Sequence, residues 1–379
     1  MYDKEIPYND LPPISLADVA DIEELTKLAE KTRVSLEVLN YAVGTLPKAS
    51  VLLDTLAFQE AKASSDIENI VTTNDELYRG ILFDNFTAEA KEVADYKRGL
   101  YVGYEALQRR GVVAPSDLVE INKTVNKKKP DIRNNLEGFD NDITRIVNKA
   151  SDGSIQTVYT PPHGKELIQK LLIDMLDYIY DDENNTYHPL IKIALAHYQF
   201  ESIHPFRDGN GRTGRILNVL MLCQKKYLDY PVLYASSYII KHKSEYYELL
   251  NITHETEQYS DIVRFMLNSF NETARKTLRI VEGIKKLLEQ YKSENFLGLF
   301  KVNNDNRELL WAMIDRLFEK AYVRINDLVE VVGLHRQTAS VHLDKLVDCG
   351  VLSKSRVGRD NIYKNVKLFE LFEEVNNGE

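Results

Sequence analysis

The twelve residues from His204 to Arg215, His-Pro-Phe-Arg-Asp-Gly-Asn-Gly-Arg-Thr-Gly-Arg, constrain this chain more than any other stretch. They bring together a histidine, one carboxylate, a Gly-Asn-Gly turn and three arginines. Glycines let a turn expose backbone N–H groups with no Cβ in the way, which makes an anion cradle. Behind the turn, Ile216, Leu217, Leu220 and Cys223 recur at helical spacing. The turn therefore opens a helix, whose N-terminus adds positive potential. Arg212 and Arg215 stand three apart and share a face of that helix. Two fork-shaped cations beside a backbone nest suit a polyphosphate. Gly209 to Gly214 also fits G-x-G-x-x-G, but that dinucleotide fingerprint needs a strand before it. The preceding segment, Leu190 to Ile203, repeats its apolar residues at three- and four-residue steps and reads as a helix, so the fingerprint is set aside.

A chain of 379 residues has room for two or three domains, and 44% hydrophobic with 28% charged residues is ordinary for a globular protein. The formal net charge of −10 argues against a general polyanion binder while leaving room for a local basic site. Cys223 and Cys349 lie far apart in helical patterns and support neither a disulfide framework nor a zinc site, so a reducing compartment is expected. Met1-Tyr2-Asp3-Lys4-Glu5 lacks the basic and apolar parts of a signal peptide. The apolar run from Ile216 to Cys223 is too short to span a bilayer. The expectation is a cytoplasmic protein with no membrane contact.

Along the chain, helical patterns cover about 17–32, 35–46 and 49–69, with Asn69 as a stop signal and Thr72-Thr73-Asn74-Asp75 as the next N-cap. Residues 85–128 continue as helices, with a start at Pro115-Ser116-Asp117. Residues 129–153 are rich in turn formers. The alternating segments Ile143–Val147 and Ile155–Thr160 suggest a β-hairpin around Asp152-Gly153. Further helices are expected from Ser236 to Leu250 and from Asp261 to Gln290. Tyr246 and Tyr247 either stack on a purine or fill core, and their helical spacing favours core. Residues 291–305 read as a polar connection and a domain boundary. Beyond it, a helix over Arg307–Glu319, a short one ending at Gly333, one over His335–Leu346 and a hairpin-like Val357–Asn361 resemble a winged helix-turn-helix. Gln337, Thr338, Ser340 and His342 fall on its would-be recognition face. Basic and acidic residues nearly balance there, whereas a DNA-binding domain usually carries a basic face, so protein contact is favoured over DNA.

The stretch from His204 to Arg215 resembles the signature of the Fic family, H-x-F-x-[D/E]-G-N-G-R-x-x-R, with every defined position filled. Ser64-x-x-x-Glu68-Asn69 looks like the inhibitory [S/T]-x-x-x-E-[G/N] helix that lies N-terminal to the core in many such proteins. The resemblance spans roughly residues 1–290. It implies a mainly α fold: an N-terminal helical region over 1–110 with the inhibitory helix at about 50–69, then a catalytic core over 111–290. A winged helix-turn-helix over 305–379 would follow. It implies transfer of AMP from ATP to a Ser, Thr or Tyr hydroxyl of a target protein, or of the chain itself, with a homo-oligomer left open. His204 would be the general base, suited to taking a proton near neutral pH. Asp208 would hold Mg²⁺, a cation that prefers hard oxygen ligands. Gly209, Asn210 and Gly211 would donate to the α-phosphate, with Thr213 and Gly214 completing the phosphate-binding segment. Arg212 would neutralise the β-phosphate and Arg215 the γ-phosphate. Glu68 on Arg215 would fill the fork meant for the γ-phosphate and repel it. A hairpin flap at about 143–160 would pair with an extended target segment through Thr157, Val158 and Tyr159.

Two other readings stand beside this one. The same core could transfer another phosphate-containing group or remove AMP. Alternatively, the chain could be a DNA-binding transcriptional regulator with a nucleotide-sensing core. Intact His204 and Asp208 argue against the second, since a sensor needs no base.

Overall fold

The structure, a computed structural model, describes residues 2–46, 50–126, 143–149, 153–181, 183, 186–300, 304–333 and 335–377. Helix α1 (Ile22–Gly44) runs unbroken where the pattern suggested two helices. Neither Gly nor Pro stands at the supposed break, and Leu25, Ala29, Leu36, Leu39 and Val43 form one buried face throughout. Helix α2 (Ser50–Ile67) follows. Helix α3 (Asn74–Phe83) starts at the expected cap: the Thr73 hydroxyl accepts from the Glu76 N–H, and the Glu76 carboxylate accepts from the Thr73 N–H. Helices α4 (Ala88–Arg110) and α5 (Pro115–Val125) pack side by side, and α5 opens on proline, where a missing N–H costs nothing.

Residues 127–142 and 150–152, which include the Asp152 of the expected turn, lie outside the described residues. Strands β1 (Ile146–Lys149) and β2 (Ile155–Tyr159) pair antiparallel, with an irregularity that leaves Val158 without a residue opposite it. Helices α6 (Lys165–Tyr180), α7 (Pro189–Ile203) and α8 (Asn210–Gln224) form the centre. Nearly every residue of α7 is buried, because α1, α6, α8 and the long helix α11 surround it. Where one helix was expected across 236–250 there are two, α9 (Ser236–Lys241) and α10 (Lys243–Thr256), broken at His242. Helix α11 (Ser260–Tyr291) runs along α1.

The expected polar connection contains a short helix, α12 (Glu294–Gly298), whose Leu297 is buried together with Phe300, so the segment is packed down. The C-terminal unit follows: α13 (Asn304–Glu319), β3 (Tyr322–Arg324), α14 (Ile325–Val332), α15 (Arg336–Asp348), β4 (Leu352–Val357), β5 (Asp360–Asn365) and α16 (Val366–Asn377). Its strands form an antiparallel sheet in the order β3-β5-β4. Gly333, at φ 74°, ends α14 before α15. Gln337 and Thr338 are exposed on α15 and Ser340 is partly buried. His342 instead turns its ring toward Phe300, so it does not belong to an outward face. The unit is docked on the N-terminal helices. Thr55 Oγ1 of α2 donates to the Phe318 carbonyl (3.4 Å), and the Tyr78 and Tyr322 rings stack at 4.6 Å. The architecture is mainly helical with two small antiparallel sheets, as the sequence indicated.

Candidate active site

Helix α7 ends at Ile203, and His204 takes a left-handed conformation (φ 47°, ψ 58°) while its N–H still bonds the Phe200 carbonyl at 3.0 Å. A non-glycine residue there is uncommon and costs roughly 1 kcal/mol, so the surroundings must enforce it. The Asn210 side chain does so from within the loop. Its Oδ1 accepts from the Phe206 N–H (2.8 Å), its Nδ2 donates to the Phe206 carbonyl (2.7 Å), and the Phe206 ring is buried. From outside, Asn122 of α5 and Asn126 just past its end donate to the Asp208 carbonyl at 2.9 and 2.6 Å. Gly209 has φ 75°, and a Cβ there would strike the Asn126 side chain. The clamped loop feeds straight into α8. By helix geometry the first-turn N–H groups of Asn210, Gly211 and Arg212 have no acceptor within the helix, which makes this end an anion site.

The cradle residues then divide by role. The Thr213 hydroxyl donates to the Gly209 carbonyl (2.8 Å) and accepts from Asn122 Nδ2 (3.1 Å). Contrary to the expectation of a phosphate contact, this buried side chain fastens the turn. Gly214 faces α7, where a Cβ would strike Glu201 and Phe200, so it is a packing glycine. The Asn210 side chain is likewise committed to the loop, leaving its N–H to face an anion. Arg212 is buried and splayed between Glu92 Oε2 (2.9 Å) and Asn126 Oδ1 (2.9 Å), with Asp208 Oδ1 at 3.5 Å. Asp208 itself is 80% exposed, and its Oδ1 accepts from the Gly209 N–H.

Arg215 lies on the same helix face and meets α2. Its Nε donates to Ser64 Oγ (2.8 Å), and one terminal nitrogen donates to the Ser64 carbonyl (2.9 Å) and to Glu68 Oε1 (2.8 Å). A Cβ on Gly211 would run into Glu68 and Arg215, so that glycine admits the pair. Burial alone would raise the Glu68 carboxyl, but the Arg215 guanidinium holds it below the usual carboxylate range. Glu68 sits just past the end of α2. Asn69 follows at φ 61° and accepts from Lys243 Nζ (2.9 Å), tying this turn to α10. Further up α2, the buried Glu60 accepts from the Ser236 N–H (2.9 Å) and the Tyr96 hydroxyl (3.1 Å), which pins the helix to α9 and α4.

A cavity of about 870 Å³ opens over these groups, lined by Glu68, His204, Gly211, Arg215 and, from the hairpin, Val158. That volume suits a nucleotide-sized ligand. Tyr247, 40% exposed, also lines it. Tyr246 borders the cavity too, but it is buried and its hydroxyl meets His197 Nε2 at 2.8 Å, so it is held as part of the core. Burial, then the nearby Arg215 charge, pushes His197 down to about 3 and keeps it neutral. Tyr159 is also buried, its hydroxyl on the Ser202 carbonyl (2.8 Å) and its ring stacked on His254 at 3.9 Å. It fastens the hairpin to α7, leaving Thr157 and Val158 as the partly exposed residues of the three. Glu201, one turn before His204, lines the same cavity, and its Oε1 has no hydrogen-bond partner among the described residues.

The residues that sequence reading missed are Glu92, Asn122, Asn126, Glu60 and Glu201. Each meets a partner distant in the chain or, for Glu201, faces α8 with no motif to mark it. The arrangement brings a histidine to the mouth of an anion cradle and closes one arginine of that cradle with a carboxylate.

Three family profiles match the chain: the Fic/DOC family over residues 113–222, the Fic/DOC family N-terminal region over 26–105, and the C-terminal domain of SoFic-like protein adenylyltransferase over 306–368. Protein adenylyltransferase Fic from Nematostella vectensis is 27% identical over 240 residues, 61% of this chain and 50% of its own length. Protein adenylyltransferase fic-1 from Caenorhabditis elegans is 33% identical over 91 residues, 24% of this chain and 17% of its own. The matches thus span half or less of these curated relatives. Among solved structures, a Fic family protein from Desulfovibrio desulfuricans G20 aligns with a TM-score of 0.51 at 21% identity, covering 93% of this chain and 98% of that one. A segment of Fic-1 from C. elegans aligns with a TM-score of 0.52 at 19% identity, covering 70% and 75%. At such identities these two speak for the fold alone. With the core, the region before it and the unit behind it each matched in order, the chain belongs to the Fic/DOC family.

Proposed function

We propose that this chain is a protein adenylyltransferase held in an inhibited state, moving the AMP part of ATP onto a hydroxyl side chain of a target protein or of itself. One observation carries the reading: Arg215, at the cradle, is engaged by Ser64 and by Glu68 at 2.8 Å. A guanidinium fork that accepts a carboxylate accepts a phosphate with the same geometry. The reaction class draws support from relatives that are named protein adenylyltransferases.

In this reading His204 takes the proton of the attacking hydroxyl as its oxygen bonds to the α-phosphorus. The bond from that phosphorus to the bridging oxygen breaks, and pyrophosphate leaves. The N–H groups of Asn210 and Gly211 meet the charge that grows on the α-phosphate, helped by the positive end of α8. Arg212, held in place by Glu92 and Asn126, faces the β-phosphate. Arg215 faces the γ-phosphate once Glu68 has moved away. The exposed Asp208 carboxylate fits a Mg²⁺ ligand, with one oxygen steadied by the Gly209 N–H and a hard oxygen left for the ion. Among the described residues no group of three His, Cys, Asp or Glu could hold a metal, so phosphate oxygens and water would complete the shell. When bound, Mg²⁺ would neutralise charge on the departing pyrophosphate.

Intact-mass spectrometry after incubation with ATP and Mg²⁺ tests the reading. A gain of one AMP per modified chain is expected for the Glu68→Gly variant. A gain of a bare phosphate, or loss of AMP from a pre-modified target with no transfer, would replace it by another reaction of the same core.

A further inference from the structure

β2 pairs with β1 along one edge, and residues 2–9 lie against its C-terminal end and the residues that follow. Several contacts fix them there. The Tyr2 hydroxyl donates to the carbonyl of Val158, the residue that the strand irregularity leaves unmatched (3.4 Å). Thr157 Oγ1 donates to Glu5 Oε2 (2.8 Å), and Thr160 Oγ1 donates to the Lys4 carbonyl. The Tyr8 N–H reaches the Thr160 carbonyl (3.0 Å), and Asn9 Oδ1 accepts from the His163 N–H (2.8 Å). The Tyr2 ring runs roughly parallel to the stacked Tyr159 and His254 rings, with centroids at 6.2 and 6.3 Å, and Tyr8 meets Tyr2 edge-on at 5.1 Å. Val158, Tyr159 and His254 all line the cavity that holds His204. The segment therefore sits on the rim of the site.

It is also held lightly. Residues 3–6 are exposed, and no residue from 2 to 10 is buried; the first buried one is Leu11, followed by Ile14. Fully buried side chains begin only at Leu11, although Tyr8 packs on the core and its hydroxyl donates to Glu257 Oε1 (3.3 Å), and a segment that is at most half-buried opens at lower cost than a core element. Only one of these bonds joins backbone to backbone, so side chains carry most of the recognition, unlike simple strand addition.

We infer that the outer edge of β2 is a docking surface for an extended segment with an aromatic residue and, three residues on, a carboxylate, and that residues 2–9 are its resident occupant. The aromatic ring packs beside Tyr159 and His254, and the carboxylate accepts from Thr157. A target segment must displace the occupant and gains most if it offers the same pair. That competition with a target rests on the function proposed above, whereas the binding surface does not.

The test is fluorescence anisotropy with a fluorescein-labelled nonapeptide of the sequence of residues 2–10, without ATP. It is titrated into the full chain, a variant lacking residues 2–9, and the full-length double variant Tyr2→Ala with Glu5→Ala. Both substituted side chains reach solvent, so the double variant does not depend on refolding a core. The peptide is expected to bind both variants at least tenfold more tightly than the full chain, whose surface is occupied. A peptide with alanine in place of its tyrosine and glutamate at the Tyr2 and Glu5 positions should lose at least tenfold. If the variants bind no better than the full chain, or the alanine peptide binds as well as the parent, the inference is overturned. Because no nucleotide is present, that failure is separate from a failure of AMP transfer in the Glu68→Gly chain.

Discussion

Arg215 carries its charge inside the protein, 2% exposed, so something must stand against it in every state. An unpaired buried charge costs several kcal/mol. Burial would lower the arginine's pKa, but Glu68 and then Glu201 hold it up, so it stays charged. Ser64 and Glu68 are its partners here, and in the proposed reaction a phosphate would take over from Glu68. Glu68→Gly should therefore tighten ATP binding about tenfold or more, the equivalent of one charge-assisted hydrogen bond released from competition. Isothermal titration with ATP and Mg²⁺ reads this directly, and an unchanged Kd would mean that Glu68 does not occupy the phosphate position. Glu201 behaves in the opposite sense. Burial, offset in part by Arg215, pushes its carboxyl up to about 7. A raised carboxyl binds a proton in the folded chain that the unfolded chain has already lost. Its contribution thus favours folding at low pH and fades as pH rises from about 4.5 through 7. Glu201→Gln should accordingly gain stability relative to wild type as pH rises from 6 to 8, by about 1 kcal/mol. Urea melts at the two pH values check this; a pH-independent difference would count against a buried protonated Glu201.

Among the elements, the contact of α7 with α8 sets the distance between His204 and the cradle, and Gly214 sets that contact. A Cβ at Gly214 would stand 2.5 Å from Glu201 Oε1 and 2.9 Å from Phe200. Gly214→Ala should cost about 1–3 kcal/mol through overpacking and should lower AMP transfer in the Glu68→Gly background by misplacing His204. Thermal melts and transfer rates on the same sample test both parts, and an unchanged melting temperature would refute the packing role. This element pair explains why the site was legible in the sequence. His204, Asp208, the glycines and both arginines are contiguous, and one helix-start pattern places them all. The supports were not legible, because Glu92 reaches Arg212 across 120 positions and Glu60 reaches Ser236 across 176. No local period encodes such pairs. The helix boundaries that differ, one α1 in place of two helices and a break at His242, turn on tertiary packing that overrides local propensity. Tyr246 sits in the core, as its helical spacing favoured, with its hydroxyl on His197, whereas Tyr159, expected on the target-facing flap, ends its hydroxyl on the Ser202 carbonyl.

Across the whole molecule, α2 is shared by two parts. Its first half is gripped by the C-terminal unit through Thr55 and Phe318, while its far end presents Ser64 and Glu68 to Arg215. Tyr322 of β3 is 6% exposed, stacks on Tyr78 and hydrogen-bonds Asp75 at the start of α3. Tyr322→Ala should destabilise the chain by about 3 kcal/mol and loosen α2. It should then raise AMP transfer in an otherwise wild-type chain but add nothing to Glu68→Gly, since the same brake cannot be released twice. Equal increments in both backgrounds, measured as initial rates, would show that the C-terminal unit acts elsewhere. One measurement bears on everything above: transfer of label from α-labelled ATP with Mg²⁺ by wild type, Glu68→Gly, and Glu68→Gly with His204→Ala. Faint labelling of the first, strong labelling of the second and none of the third are expected. If Glu68→Gly binds ATP yet labels no more than the double variant, the chain does not transfer AMP and the inhibitory role of Glu68 falls with it.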